Sequence, residues 1–208
     1  MTALGNEYGR LQSARGGTIS ESSSRAGLFL TTLSGAVVGL SFVAQASHFG
    51  EAFYVFALAI MPVVFFLGVV TYYRVLQTGV EDVIYARAIS KINAFYSQID
   101  PARASFFDAS SVDQVGLTTL GLFKPWWQQF LGGAALVAIV NGVVGGVFIA
   151  LTVSFFLSPP SVVAIGVGAA AVLILIVAFF RHQWSIWMRV SALLPLLASK
   201  AATGKPAD

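Results

Sequence analysis

Residues 126–157 read WWQQFLGGAALVAIVNGVVGGVFIALTVSFFL, 32 consecutive positions without Asp, Glu, Lys or Arg. An α-helix rises about 1.5 Å per residue and the hydrocarbon core of a bilayer is about 30 Å thick, so about 20 such residues suffice to cross it. At about 48 Å of helix this run must tilt or project beyond the bilayer. The paired Trp126 and Trp127 suit the headgroup layer. Three more runs share the property: Leu28–Ala46, Ala52–Tyr73 and Val162–Phe180.

The remainder of the 208-residue chain agrees. It is 57% apolar and 10% charged, with a mean hydropathy of +0.80, whereas soluble domains carry about a quarter charged residues. The expected class is therefore an all-α integral membrane protein with four transmembrane helices and the lipid bilayer as its solvent. Ala44-Gln45-Ala46 resembles a signal-peptide cleavage site. The 25-residue polar lead and the apolar run of about 18 behind it are both too long for that pattern.

Basic residues set the expected orientation. Arg10, Arg15 and Arg25 precede the first run, Arg74, Arg87, Lys91, Arg103 and Lys124 lie between the second and third, and Arg181, Arg189, Lys200 and Lys205 follow the fourth. The connections Ser47–Glu51 and Ser158–Ser161 hold none. Under the positive-inside rule both termini and the long middle loop face the cytoplasm. Asn-x-Ser/Thr sequons are absent, which fits a multi-pass protein of a plasma membrane, here a bacterial inner membrane.

The chain divides on this reading into a flexible cytoplasmic tail (1–25), a first hairpin (26–77), a cytoplasmic helical stalk and loop (78–125), a second hairpin (126–180) and an interfacial helix with a tail (181–208). The tail is rich in Gly, Ser and Thr without an apolar period, and its Ser20–Ser24 cluster is a candidate for phosphorylation against a reading of plain disorder. In the stalk, Val80, Val83, Ile84, Ala88, Ile92, Phe95 and Ile99 recur at three- and four-residue steps, an amphipathic helix whose apolar stripe needs cover. If the second run continues into it, one rod of about 72 Å reaches from Ala52 to Ile99. Gly79 is a candidate hinge in that rod and Pro62 a candidate bend. Beyond Phe180, Trp184, Trp187, Met188 and Leu194 share a face, and Pro195 is expected to kink or end that helix.

Small residues mark the expected packing sites. Ala134, Ala138, Gly142, Gly146 and Ala150 follow one another at four-residue intervals, and Thr31, Gly35 and Gly39 repeat the pattern in the first run. Such stripes let helix backbones approach closely in lipid. At an offset of 107 residues, Ser34–Gly39 lies over Asn141–Gly146 and Tyr72-Tyr73-Arg74 over Phe179-Phe180-Arg181. This suggests a duplicated hairpin with Ser34 and Asn141 at equivalent depths. Asn141 is the one strongly polar side chain deep in any run: either an interhelical hydrogen-bonding group or, with Ser34, part of a pore or ligand cleft.

Catalytic chemistry has little to stand on. The chain has no Cys and two His, His48 and His182, and no ionisable group inside the four runs of the kind that ion-coupled transporters use. His48 and Glu51 form a candidate pH-sensitive pair or two solvated loop residues. The carboxylates of Asp108 and Asp113 lack further ligands. No catalytic, cofactor or metal residue is assigned, and 12 Lys/Arg against 9 Asp/Glu is too thin a balance for nucleic acid. The leading expectation is a non-enzymatic homo-oligomeric, channel-like assembly. Its alternative is a membrane-anchored adaptor whose cytoplasmic helix binds a protein partner, and an uncoupled carrier of a small neutral solute is a third.

Overall fold

In hydrocarbon no water is at hand to bond an exposed peptide group, so a long apolar run must satisfy its backbone internally, as a helix does. A computed structural model describes residues 2–99 and 132–203, with side chains to 193. It places the described part of each apolar run in a separate helix, the third from Gly133 onward: α1 (Thr2–Ser47), α2 (Glu51–Ile99), α3 (Gly133–Leu157) and α4 (Ser161–Thr203). All four are long and apolar enough to cross a membrane, and the described residues contain no strand. The Trp126–Leu131 start of the third run, Asp108 and Asp113 lie outside the described residues.

Several expected boundaries are absent. Residues 2–25 are not a separate flexible tail but the opening turns of α1. Their polar side chains are held by ion pairs rather than by an apolar face: Glu7 with Arg10 at 2.7 Å and Glu21 with Arg25 at 2.9 Å along the helix, Arg15 with Asp82 of α2 at 2.7 Å, and Arg74 of α2 with Glu21 at 2.9 Å. The rod running on from the second apolar run exists as α2, which passes unbroken through Pro62 and Gly79. Nor does a new helix start at Arg181, because α4 continues through that position and through Pro195 to Thr203.

The chain divides into two compact units. The first takes Met1–Leu33 and Gly68–Val137, the second Ser34–Leu67 and Ala138–Asp208. In the first unit, α1 and α2 pair through Arg15–Asp82 and Glu21–Arg74. Phe29 and Tyr72 are fully buried there. Thr71, Val75, Thr78 and Ile89 are the buried side of α2. That side differs from the expected stalk stripe, whose Ile84, Phe95 and Ile99 are exposed. The Thr18 and Thr78 hydroxyls donate back to the carbonyls of Arg15 and Val75, at 2.8 and 2.9 Å, so their burial leaves no donor unmet.

In the second unit, two short turns join the helices. The α1–α2 turn closes with the Phe49 amide on the Ala44 carbonyl at 3.1 Å and His48 in the left-handed region at φ 49°, a Schellman end built on His instead of the usual Gly. Gly50 follows because a Cβ there would stand 2.8 Å from the Ser47 carbonyl oxygen. The second turn repeats the left-handed exit at Ser158, φ 44°. His48 and Ser158 are 110 positions apart, three more than the register in which the two sequences align. The turns and the aligned motifs therefore share no common register.

Candidate functional site

Glycine saves space only where something occupies it. At Gly142 a Cβ would meet Ile176 Cγ1 at 2.7 Å. At Gly146 it would meet the Gly168 carbonyl oxygen at 2.8 Å, the Val172 amide nitrogen at 3.0 Å and the Val172 side chain closer still. Gly168 reciprocates, with Ala150 Cβ at 2.7 Å and the Gly146 oxygen at 3.1 Å. Backbone thus lies on backbone where α3 crosses α4, the contact that small residues at four-residue spacing permit. On another side of α3, Gly145 admits Leu175 and, from α2, Phe65, at 2.5 and 2.7 Å. Ala134 and Ala138 are buried as well.

The small-residue stripe of α3 marks neither its seam partners on α4 nor Gly145, which lies off the stripe. Ala164, Gly168 and Val172 repeat at four-residue intervals, with Ala164 and Gly168 buried, and that spacing was the available signal.

The matching pattern in α1 has another setting. Gly39 makes only ordinary contact with Phe56, at 3.8 Å, and nothing stands within 4 Å of a Cβ on Gly35. Ser34, Gly35, Val38, Ser41, Phe42 and Gln45 share one exposed face. Successive offsets of three and four residues place them within about a third of the helix circumference. The Ser41 hydroxyl donates to the Val37 carbonyl at 2.8 Å, which lets a polar side chain sit in an apolar setting.

Asn141 is 0% exposed, and neither its amide nitrogen nor its oxygen has a hydrogen-bond partner among the described residues. Ser34 is exposed, so the two positions proposed as equivalent have opposite environments. Pro62 and Gly79 lie within continuous helix and show no interruption there. His48 and Glu51 are both exposed, and none of the described ion pairs joins them.

The charged groups that do interact lie in the first unit. Glu21 accepts from Arg74 Nε and from Arg25 Nε, both at 2.9 Å. These bonds, Arg74 first, hold its carboxyl below the ordinary value of 4.5. Arg10 does the same for Glu7.

Among the described residues no three His, Asp or Glu side chains gather as metal ligands would. What the described residues present is a close-packed α3–α4 seam, a charge-paired α1–α2 segment and an uncovered small-and-polar face on α1. The chain matches no known family model, no curated protein and no solved structure.

Proposed function

We propose that the protein is a non-enzymatic, channel-like membrane assembly made of several copies of this chain. Both termini and residues 78–125 face the cytoplasm, and the membrane is a bacterial plasma membrane. The observation that carries the reading is the open face of α1. Between Val162 and Phe180 the exposed residues of α4 are all apolar, the long Leu173, Ile174 and Val177 beside the small Gly166 and Ala170, a surface suited to lipid. The face of α1 bears, beside Val38 and Phe42, the small and polar Ser34, Gly35, Ser41 and Gln45, residue types that helices in lipid use against one another.

A second copy is the occupant this surface fits. Ser34, Ser41 and Gln45 supply a wettable lining where several α1 helices meet, while Asn141, buried within each chain, takes no part in it.

Gly35→Ile tests this directly. Because no described residue stands within 4 Å of a Cβ on Gly35, the variant is expected to keep its helix content and thermal transition while losing the oligomer in native mass spectrometry. Ion flux into liposomes should fall with it. A monomer from the unsubstituted protein in mild detergent, or flux no higher than in empty liposomes, would reject the proposal.

One observation favours the adaptor reading as a second: Ile84, Phe95 and Ile99 of α2 are exposed, an apolar row in the segment placed in the cytoplasm. Deleting residues 78–125 then removes a partner without preventing insertion, and unchanged partner recovery rejects it.

A further inference from the structure

Of the seven described arginines, four are paired, Arg87 of α2 is exposed outside the described ion pairs, and the remaining two lie on α4. Arg10, Arg15, Arg25 and Arg74 each hold a carboxylate within 2.9 Å. Arg181 and Arg189 of α4 belong to none of these pairs and are both exposed. Their own helix offers no counter-charge, since Ser161–Thr203 contains no Asp or Glu.

Arg181 also has a particular place on the helix surface. The exposed row of Leu173, Ile174 and Val177 leads, at steps of three and four residues, to Arg181, Trp184 and Met188. From Val163, near the start of the same face, to Arg181 the helix rises about 27 Å, close to the thickness of the hydrocarbon core. The first cation on the lipid-facing side of α4 therefore stands where hydrocarbon gives way to phosphate. Trp184, 50% exposed, lies one turn further along, and indole rings favour that layer.

We propose that Arg181, with Trp184 beside it, binds the headgroup of an anionic phospholipid. The guanidinium offers two parallel N–H donors to phosphate oxygens, and the exposed indole packs on the glycerol and upper acyl region. Arg189, two turns beyond, adds a second cation to the same end of a helix that has no anion of its own. This inference requires α4 to span the bilayer but is independent of whether the chain assembles into oligomers.

The test uses the 208-residue chain with Trp126, Trp127 and Trp187 replaced by Phe, leaving Trp184 as its sole indole. It is reconstituted into phosphatidylcholine vesicles containing either brominated phosphatidylglycerol or brominated phosphatidylcholine at equal fraction. Bromine quenches a neighbouring indole, so the ratio of the two quenching curves gives the local preference for the anionic lipid. One arginine at an anionic surface corresponds to about a fivefold preference. Arg181→Gln is expected to remove most of it and Arg181→Lys to retain part. Equal quenching by the two lipids, or a preference unchanged in Arg181→Gln, would overturn the proposal. If Arg181→Gln does not insert, the two-lipid comparison on the Arg181 protein decides alone. An assembly that fails the Gly35→Ile test leaves this result untouched.

Discussion

Asn141 is an amide whose two polar atoms are sealed from solvent without a partner among the described residues. A buried donor and acceptor left unmatched costs more than the apolar group of the same shape that would replace them. Asn141→Leu, close in volume, is therefore expected to stabilise the isolated chain by about 1 kcal/mol, read as a higher thermal transition in detergent. A lower transition would mean that the amide bonds something within the helices. The glycines give the opposite expectation. Gly146→Ala drives a methyl group into Val172 and the Gly168 carbonyl and should destabilise by about 1–3 kcal/mol, as overpacking does. Gly35→Ala meets nothing and should be neutral or better, helped by the higher helix propensity of Ala. Spacing made both small-residue patterns visible in the sequence. It did not distinguish them, because four-residue periodicity locates a face and says nothing about what lies opposite.

At the scale of an element, the N-terminal part of α1 is where reading by hydrophobic period fails. Its shielded positions include Leu4, Tyr8, Leu11, Arg15, Thr18 and Ser22, a regular alternation of four- and three-residue steps. The second half of that row is polar, so the apolar stripe breaks off after Leu11. The usable signal was instead the charge pattern Glu7–Arg10 and Glu21–Arg25, pairs that face each other at helical spacing. The same cause misplaced the buried side of α2, where Thr71 and Thr78 are buried on the side of the Arg15-bound Asp82 while Ile84, Phe95 and Ile99 of the more hydrophobic row are exposed. Long charge-free runs, by contrast, dictate a helix whatever their partners: three of the four lie wholly within helices of the structure, and the third does so from Gly133 onward.

The α1–α2 pairing is expected to depend on pH. Because the Glu21 carboxyl lies below its ordinary value of 4.5 in the folded chain, its contribution is fully present above about that value. It is lost as the pH falls through the lowered one. Spin labels at the exposed positions 12 and 90 should give a narrow distance distribution at neutral pH that broadens below about pH 4.5, and Glu21→Gln should broaden it at neutral pH. A distribution indifferent to both would remove Glu21 from the pairing.

For the whole molecule, the distribution of cations supplies the testable statement. Ser90→Cys, on the exposed side of α2, should react with a membrane-impermeant maleimide in inverted vesicles and not on intact cells, whereas a Cys at position 48 or 159 should show the reverse. Labelling of position 90 on intact cells would invert the orientation and with it the assignment of the stalk to the cytoplasm.

The composition of the two units also bears on the order of events at the ribosome. Every segment of the first unit precedes residue 138, whereas the second unit's seam needs Gly168, Val172 and Ile176 of α4. At about 5–20 residues per second, the nascent chain takes about 2–8 s to run from Val137 to Ile176. Throughout that interval Gly142 and Gly146 have no α4 to meet, and a helix inserted without its mate is the substrate that membrane quality-control proteases recognise. A synonymous codon change that slows translation across residues 138–176 should therefore shorten the lifetime of the newly made protein, while the same change placed after residue 176 should not.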